Sequence, residues 1–189
     1  NILCTTNKII FGLTFENSEE ICNVDNWKYE KMLDLRTIED EKYKDKILVN
    51  FIADPGTVLV LLNDGYLYQI MIDNKLEKYN LINFPNDTRI KNICIANNVV
   101  IFVDQNGRFY NFQGEDLSNS YADGFFQNKN IELISTIEEG QNNITNTCNV
   151  FITDDKKAYI YNTNTNQIEC LNDKIENLRD KSIINVYNL

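Results

Sequence analysis

A unit of about 40–50 residues recurs along the chain, and no other feature constrains the fold as much. Each copy opens with an Ile-led apolar stretch. A second apolar stretch follows, then a tight polar turn, then an aromatic-rich stretch. Copy one runs ILVNFIAD (47–54), TVLVLL (57–62), the turn NDG (63–65) and YLYQIMI (66–72). Copy two runs IKNICIA (90–96), VVIFV (99–103), DQNG (104–107) and RFYNF (108–112). Copy three runs IELISTI (131–137), then CNVFIT (148–153), DDKK (154–157) and AYIY (158–161), with an insertion at 138–147. A fourth copy starts SIINVY (182–187). In the first two copies the turn glycine lies 18 and 17 residues after the lead Ile.

The residue types predict strands. Ile, Val, Tyr and Phe suit a pleated, half-buried surface. Asp64-Gly65 and Asn106-Gly107 supply the positive φ that a tight hairpin needs. The middle stretches VLVLL and VVIFV are apolar throughout, as expected of strands covered on both faces. A polar outer strand is expected after each copy, at 75–80, around 116–118, and at 167–171. Residues 1–25 fit the tail of an earlier copy, with strands at 2–6, 8–15 and 20–24. Four strands per repeated unit predict an all-β fold, a β-propeller-like array of about four four-stranded blades. The expected organisation is one domain over 1–189, with a densely charged insertion at 25–46 whose apolar spacing suits a helix. Strand counting fits a four-bladed ring if residues 182–189 supply the first blade's missing lead strand. The chain opens at Asn1, not methionine, which suits a start internal to a longer protein.

At the strand–turn–strand core the chain resembles the regulator of chromosome condensation type of propeller repeat. The segment from Ile90 to Gly114 carries that pattern: an I-x-x-I strand, an apolar strand, an acidic-Gly turn, an aromatic strand and a Gly. Asp64-Gly65-Tyr66-Leu67-Tyr68 matches the same turn. The resemblance covers roughly residues 47–189. The family's His and its Gly-rich segment are absent, and so is any Trp-Asp dipeptide. The resemblance implies an interaction platform. No residue matches an exchange motif, so guanine-nucleotide exchange is not carried over.

Composition removes several chemistries. There is no histidine, which excludes Ser-His-Asp and Cys-His catalysis and His-bearing metal sites. The net charge of −10 opposes nucleic-acid binding by bulk charge. Five cysteines without a C-x-x-C pair suit a reduced compartment, cytoplasmic or nuclear, and Cys94 and Cys148 are expected as buried hydrophobes. No apolar run approaches a membrane span, so no membrane partner is expected. The 30 Asn and 24 Ile against 4 Ala and 4 Arg point to an AT-rich genome.

The carboxylates Asp54, Asp64, Asp104, Asp154 and Asp155 fall at strand ends and turns, where Asp hydrogen-bonds its own backbone. No catalytic residue, cofactor or metal site is assigned. Two segments are candidates for contact with other proteins. The 25–46 insertion carries Trp27 and Tyr29, with Met32, Leu33, Leu35 and Ile38 as a partial helical stripe. Residues 117–129 carry Tyr121, Phe125 and Phe126 beside the turn Asp123-Gly124; these rings either anchor an interface or plug the gap between blades, the plug being favoured. Residues 141–146 are expected as a polar surface loop. The leading function is a non-enzymatic interaction module within a large intracellular assembly. The alternatives are a ribosome- or ribonucleoprotein-bound factor that occludes a site, touching ribosomal proteins or RNA through local loops, and a propeller-type hydrolase or lyase. The last needs carboxylates on inner strands, where the chain offers Asn50, Asn92 and Glu132.

Overall fold

A computed structural model describes residues 2–14, 25, 27–38, 40–54, 57–70, 75–79, 88–96, 99–141 and 144–184. The chain divides into two compact units, Asn1–Tyr79 and Asn80–Leu189. In the first, β1 (Ile2–Thr5), β2 (Ile9–Thr14) and β3 (Lys28–Asp34) form one antiparallel sheet in sequence order. Then β4 (Leu48–Asp54), β5 (Thr57–Leu62), β6 (Leu67–Ile70) and β7 (Leu76–Tyr79) form another. The second unit holds β8 (Ile90–Ala96), β9 (Val99–Asp104) and β10 (Phe109–Tyr110) in one sheet. Its other sheet comprises β11 (Ile131–Gln141), β12 (Ile144–Thr153), β13 (Ala158–Asn162) and β14 (Gln167–Cys170), followed by the single turn α1 (Leu171–Lys174). The fold is all-β and propeller-like: the described residues form four meandering antiparallel sheets, the last three made by copies one to three of the repeat and the first by the segment that precedes them. No helix among the described residues is long and apolar enough to cross a membrane.

The repeat is visible at the level of single hydrogen bonds. The lead strands β4, β8 and β11 each carry a bulge at the same place, where the register skips between Leu48 and Asn50, Ile90 and Asn92, and Ile131 and Leu133. A bulge leaves backbone groups without a ladder partner. In two copies an Asn meets that need: Asn50 Oδ1 accepts from the Phe51 N–H (2.8 Å) and Asn92 Oδ1 from the Ile93 N–H (2.9 Å). The turn after the second strand also recurs. Asn63, Gln105 and Asp154 donate their N–H to the carbonyls of Ile47, Arg89 and Asn130, each just before a lead strand, at 3.0, 2.9 and 2.9 Å. Structurally Leu48, not Ile47, is thus the counterpart of Ile90, and the spacing to the turn glycine becomes equal in the two copies.

The turn residue of positive φ is Gly65 (79°), Gly107 (78°) and, in copy three, Lys156 (63°). At Gly107 the demand is steric as well as conformational. A Cβ there would lie 2.0 Å from Asn130 Oδ1 and 2.4 Å from the Ile131 nitrogen, because the next lead strand runs directly over the turn. The Ile131 N–H donates to the Gly107 carbonyl (3.2 Å), as Leu48 does to Asn7 (2.9 Å).

Several expectations change. The described residues of 25–46 form no α-helix: β3 pairs with β2 from Thr14↔Lys28 to Ile9↔Asp34, and Glu41–Tyr43 is a 3-10 turn capped by the Asp40 side chain. Leu33 and Leu35 are buried, and Tyr43 fills the core with its hydroxyl on the Leu76 carbonyl (2.9 Å). The sheet ladder and this core outweigh a partial helical stripe. The outer strand expected at 20–24 lies outside the described residues, and β3 is the described strand paired with β2's far side. Copy two has no outer strand: a single bridge, Tyr110↔Asp116, stands in its place. The 138–147 insertion lengthens β11 and β12 into a hairpin paired from Glu138↔Thr147 to Gln141↔Ile144; residues 142–143 lie outside the described residues. Cys94 is buried, while Cys148 is half-buried.

Candidate interaction surface

The aromatic segment 117–129 occupies the place of copy two's outer strand. The Ser118 hydroxyl accepts the Phe109 N–H (3.0 Å), and the Leu117 N–H donates to the Phe109 carbonyl (2.9 Å), so the segment starts along β10. It then reverses through three consecutive left-handed residues, Ala122 (φ 52°), Asp123 (φ 52°) and Gly124 (φ 78°). Two of these carry side chains, and such a conformation costs each of them roughly 1 kcal/mol or more. It persists because both flanks are fixed by packing.

Phe126, on the inner flank, is 1% exposed and stacks on Phe151 of β12 at 3.9 Å between ring centroids. Tyr121 packs edge-on against Phe109, Phe151 and Tyr161 at 5.8, 5.6 and 5.4 Å. Its hydroxyl accepts from the Asn149 side-chain amide, and burial pushes its phenol up. Asn149 is fully buried, and its Oδ1 accepts the Thr136 hydroxyl (3.0 Å). Tyr121 and Phe126 are therefore the plug that the sequence favours, wedged between the two sheets of this unit. The burial of Phe126 is a correction to its place among contact residues, since it has no surface left to offer.

Phe125 is different. It is 41% exposed, edge-on to Phe126 (5.0 Å) and to Tyr159 (5.5 Å). The Lys129 ammonium sits 4.9 Å from the Phe125 centroid and 4.7 Å from that of Tyr159. The turn beneath is tied to the β13–β14 hairpin, because Asp123 accepts from Asn166 and Asn166 accepts the Tyr161 hydroxyl (2.8 Å). The result is an outward aromatic ring on a rigid mount. Sequence reasoning missed Tyr159, Tyr161 and Lys129. Their signal was available: Tyr159 and Tyr161 are two apart on one strand and share a face.

In the first unit Tyr29 is 75% exposed, edge-on to Phe11 (6.2 Å), and Trp27 is half-buried. An open groove of about 590 Å³ lies in the same unit, with Met32, Ile38, Tyr43 and Leu76 among its apolar walls and Lys31, Lys42 and Lys75 around them. Asp34 also lines it. Its carboxylate is 2% exposed and takes Arg36 through two guanidinium nitrogens (both 2.8 Å), the Arg36 N–H (3.0 Å) and Lys31 (3.0 Å). Those Arg36 bonds hold it well below the ordinary carboxylate range, against the opposing effect of burial.

Asp64 and Asp104 serve turns. Asp64 Oδ1 accepts the Tyr66 N–H, while Oδ2 takes Lys46 and the Tyr68 hydroxyl, both at 2.7 Å. Asp104 accepts two turn N–H groups (2.8 and 2.9 Å) and the Tyr110 hydroxyl (3.1 Å). Burial first, and Asp104 second, push the Tyr110 phenol up to about 12. On the inner strands, Asn50 and Asn92 cap the bulges, and Glu132 pairs with Lys91 (2.9 Å).

No protein-family model matches the chain. No curated protein matches it either. The solved structures that resemble it include two of low similarity. Human WBSCR16 has a TM-score of 0.49 and 9% identity over 89% of this chain and 52% of its own. HIRA residues 644–1017 have a TM-score of 0.30 and 9% identity over 90% of this chain and 48% of their own. The chain thus spans about half the length of the solved structures it resembles.

Proposed function

We propose that the chain is a non-enzymatic protein-interaction module that docks within a larger intracellular assembly, with Phe125 as a principal anchor. The supporting observation is the mount of Phe125: a two-fifths exposed ring held by a strained left-handed turn, with its neighbour Phe126 locked in the core. A surface aromatic that is already ordered loses little entropy on contact, which suits a binding hot spot. Strain concentrated at an exposed turn is a feature of functional sites. Tyr29 is a second anchor of the same kind on the other unit.

The test is sedimentation of the tagged chain in native lysate, as wild type and as Phe125→Ala. The wild type should travel with a heavy particle. Phe125→Ala should weaken that association by roughly 30-fold, the loss of about 2 kcal/mol expected of a hot-spot ring. Its circular dichroism should stay unchanged. A wild-type chain that sediments as a free monomer would overturn the reading. Co-migration with ribosomal RNA would replace it with the ribonucleoprotein-bound alternative.

A further inference from the structure

Lys129 ends on two aromatic rings, in a chain that offers 28 acidic side chains. Its Nζ lies 4.9 Å from the Phe125 ring centroid and 4.7 Å from that of Tyr159, and donates to the Tyr159 hydroxyl at 3.4 Å. Both centroid distances fall within cation–π range. Among the described residues no carboxylate lies within ion-pair distance of this ammonium. The rings, not a counter-ion, hold it.

The rings do not depend on Lys129 for their place. Tyr159 stands in the ladder between Phe151 of β12 and Cys170 of β14. Phe125 is edge-on to Phe126 (5.0 Å), which is itself stacked on Phe151. The Lys129 side chain, by contrast, is a flexible four-carbon stem that regains rotamer freedom when its end is released. The ring pair is thus a preformed cation site with a replaceable occupant. Its surroundings suit a cation as well. This unit has a net charge of 9 − 14 = −5. The Asp155 carboxyl is held below its usual range first by the Thr153 hydroxyl, and the charge of Lys129 adds to that effect. A cation that took the place of Lys129 would feel the same carboxylate. Arginine fits better than a second lysine. Its planar guanidinium stacks on a ring face, keeps N–H groups free for a hydroxyl or carboxylate at the edge, and is more weakly hydrated than an ammonium.

We infer that the Phe125–Tyr159 pair is a binding site for an arginine side chain of a protein partner, closed in the free chain by Lys129, and that docking replaces Lys129 with the partner's guanidinium. The inference rests on the reading of Phe125 as an anchor and gives that anchor a ligand and a regulator. Affinity for the partner is lowered by the share of molecules in which Lys129 fills the site.

The test titrates the full-length chain with a blocked peptide, Gly-Gly-Arg-Gly-Gly, and follows the ring-proton shifts of Phe125 and Tyr159. Lys129→Gln should bind the peptide about fivefold more tightly than wild type, which corresponds to ~1 kcal/mol of removed competition. Lys157→Gln removes the same charge beside Asp155 (3.9 Å) without touching the ring pair, and should change affinity by less than about twofold. The peptide with citrulline for arginine, uncharged and of the same shape, should bind at least about tenfold more weakly. Equal gains in the two lysine variants would assign the effect to bulk charge. Weaker binding by Lys129→Gln would make Lys129 a contact in its own right. Equal binding of the two peptides, or no shift at either ring, would remove the cation site. Each of these results overturns the inference and leaves the docking role of Phe125 to the sedimentation test. A chain that binds the arginine peptide as expected but sediments as a free monomer would strike the assembly and leave the site.

Discussion

Lys156 shows how one residue can carry the cost of a turn. Copies one and two place glycine at the left-handed position, but copy three places lysine there at φ 63°. A side chain in this region is strained, while glycine is not. Lys156→Gly should therefore stabilise the protein by about 0.5–1 kcal/mol, seen as a higher urea midpoint. Gly107→Ala should do the reverse, by at least about 2 kcal/mol, because its methyl would meet the Ile131 backbone as well as an unfavourable φ. Equal small effects from the two substitutions would show that the copies do not share one turn geometry. Asp34 gives a prediction in pH. Its folded value is depressed by Arg36, so its contribution is full above the unfolded carboxylate value near 4 and is lost as pH falls below it. Asp40, Asp64 and Asp155 are depressed too, so the wild-type slope alone does not isolate Asp34. The difference between wild type and Asp34→Asn does: the variant should be less stable at pH 7, and the gap should narrow toward pH 2. A gap that stays constant would mean the carboxylate's charge contributes nothing.

At the scale of elements, the aromatic plug makes two adjacent residues behave oppositely. Phe126→Ala empties a stacked core site and should cost about 3–5 kcal/mol of stability. Phe125→Ala removes a ring that is largely outside and should cost under about 1 kcal/mol. Denaturant unfolding of both variants checks the pair, and a large loss at Phe125 would make it another core residue. The same elements show what could be read from sequence. Strands β5 and β8 match their sequence bounds because their apolar runs end at turn chemistry, such as Asn63-Asp64-Gly65. The copy-two outer strand was not foreseeable as missing. Its place is taken by rings whose packing partners, Phe151 and Tyr161, lie 25 or more residues away. β3 reads as helical in the sequence because Met32, Leu33 and Leu35 fall near helical spacing, while the pairing that decides their state lies with β2. Neither signal separates the burial of Phe126 from the exposure of Phe125; only the left-handed turn before them does.

On the whole molecule, the charge is spread evenly. Each unit carries 9 basic and 14 acidic residues, so the net −10 divides equally between them. A partner approaching either unit meets a negative field, and long-range attraction therefore selects a basic face. That field acts before contact, while the Phe125 ring acts after it. The two should separate in kinetics. Raising the salt from about 50 to 500 mM shortens the screening length from roughly 14 to 4 Å. The association rate with the purified particle should then fall by about tenfold or more, with the dissociation rate changing little. Phe125→Ala should leave the association rate near the wild-type value and speed dissociation by roughly 30-fold. Surface plasmon resonance on the immobilised particle measures both. An association rate that ignores salt would mean that charge does not select the partner. A Phe125→Ala variant altered in association alone would remove that ring from the docked interface.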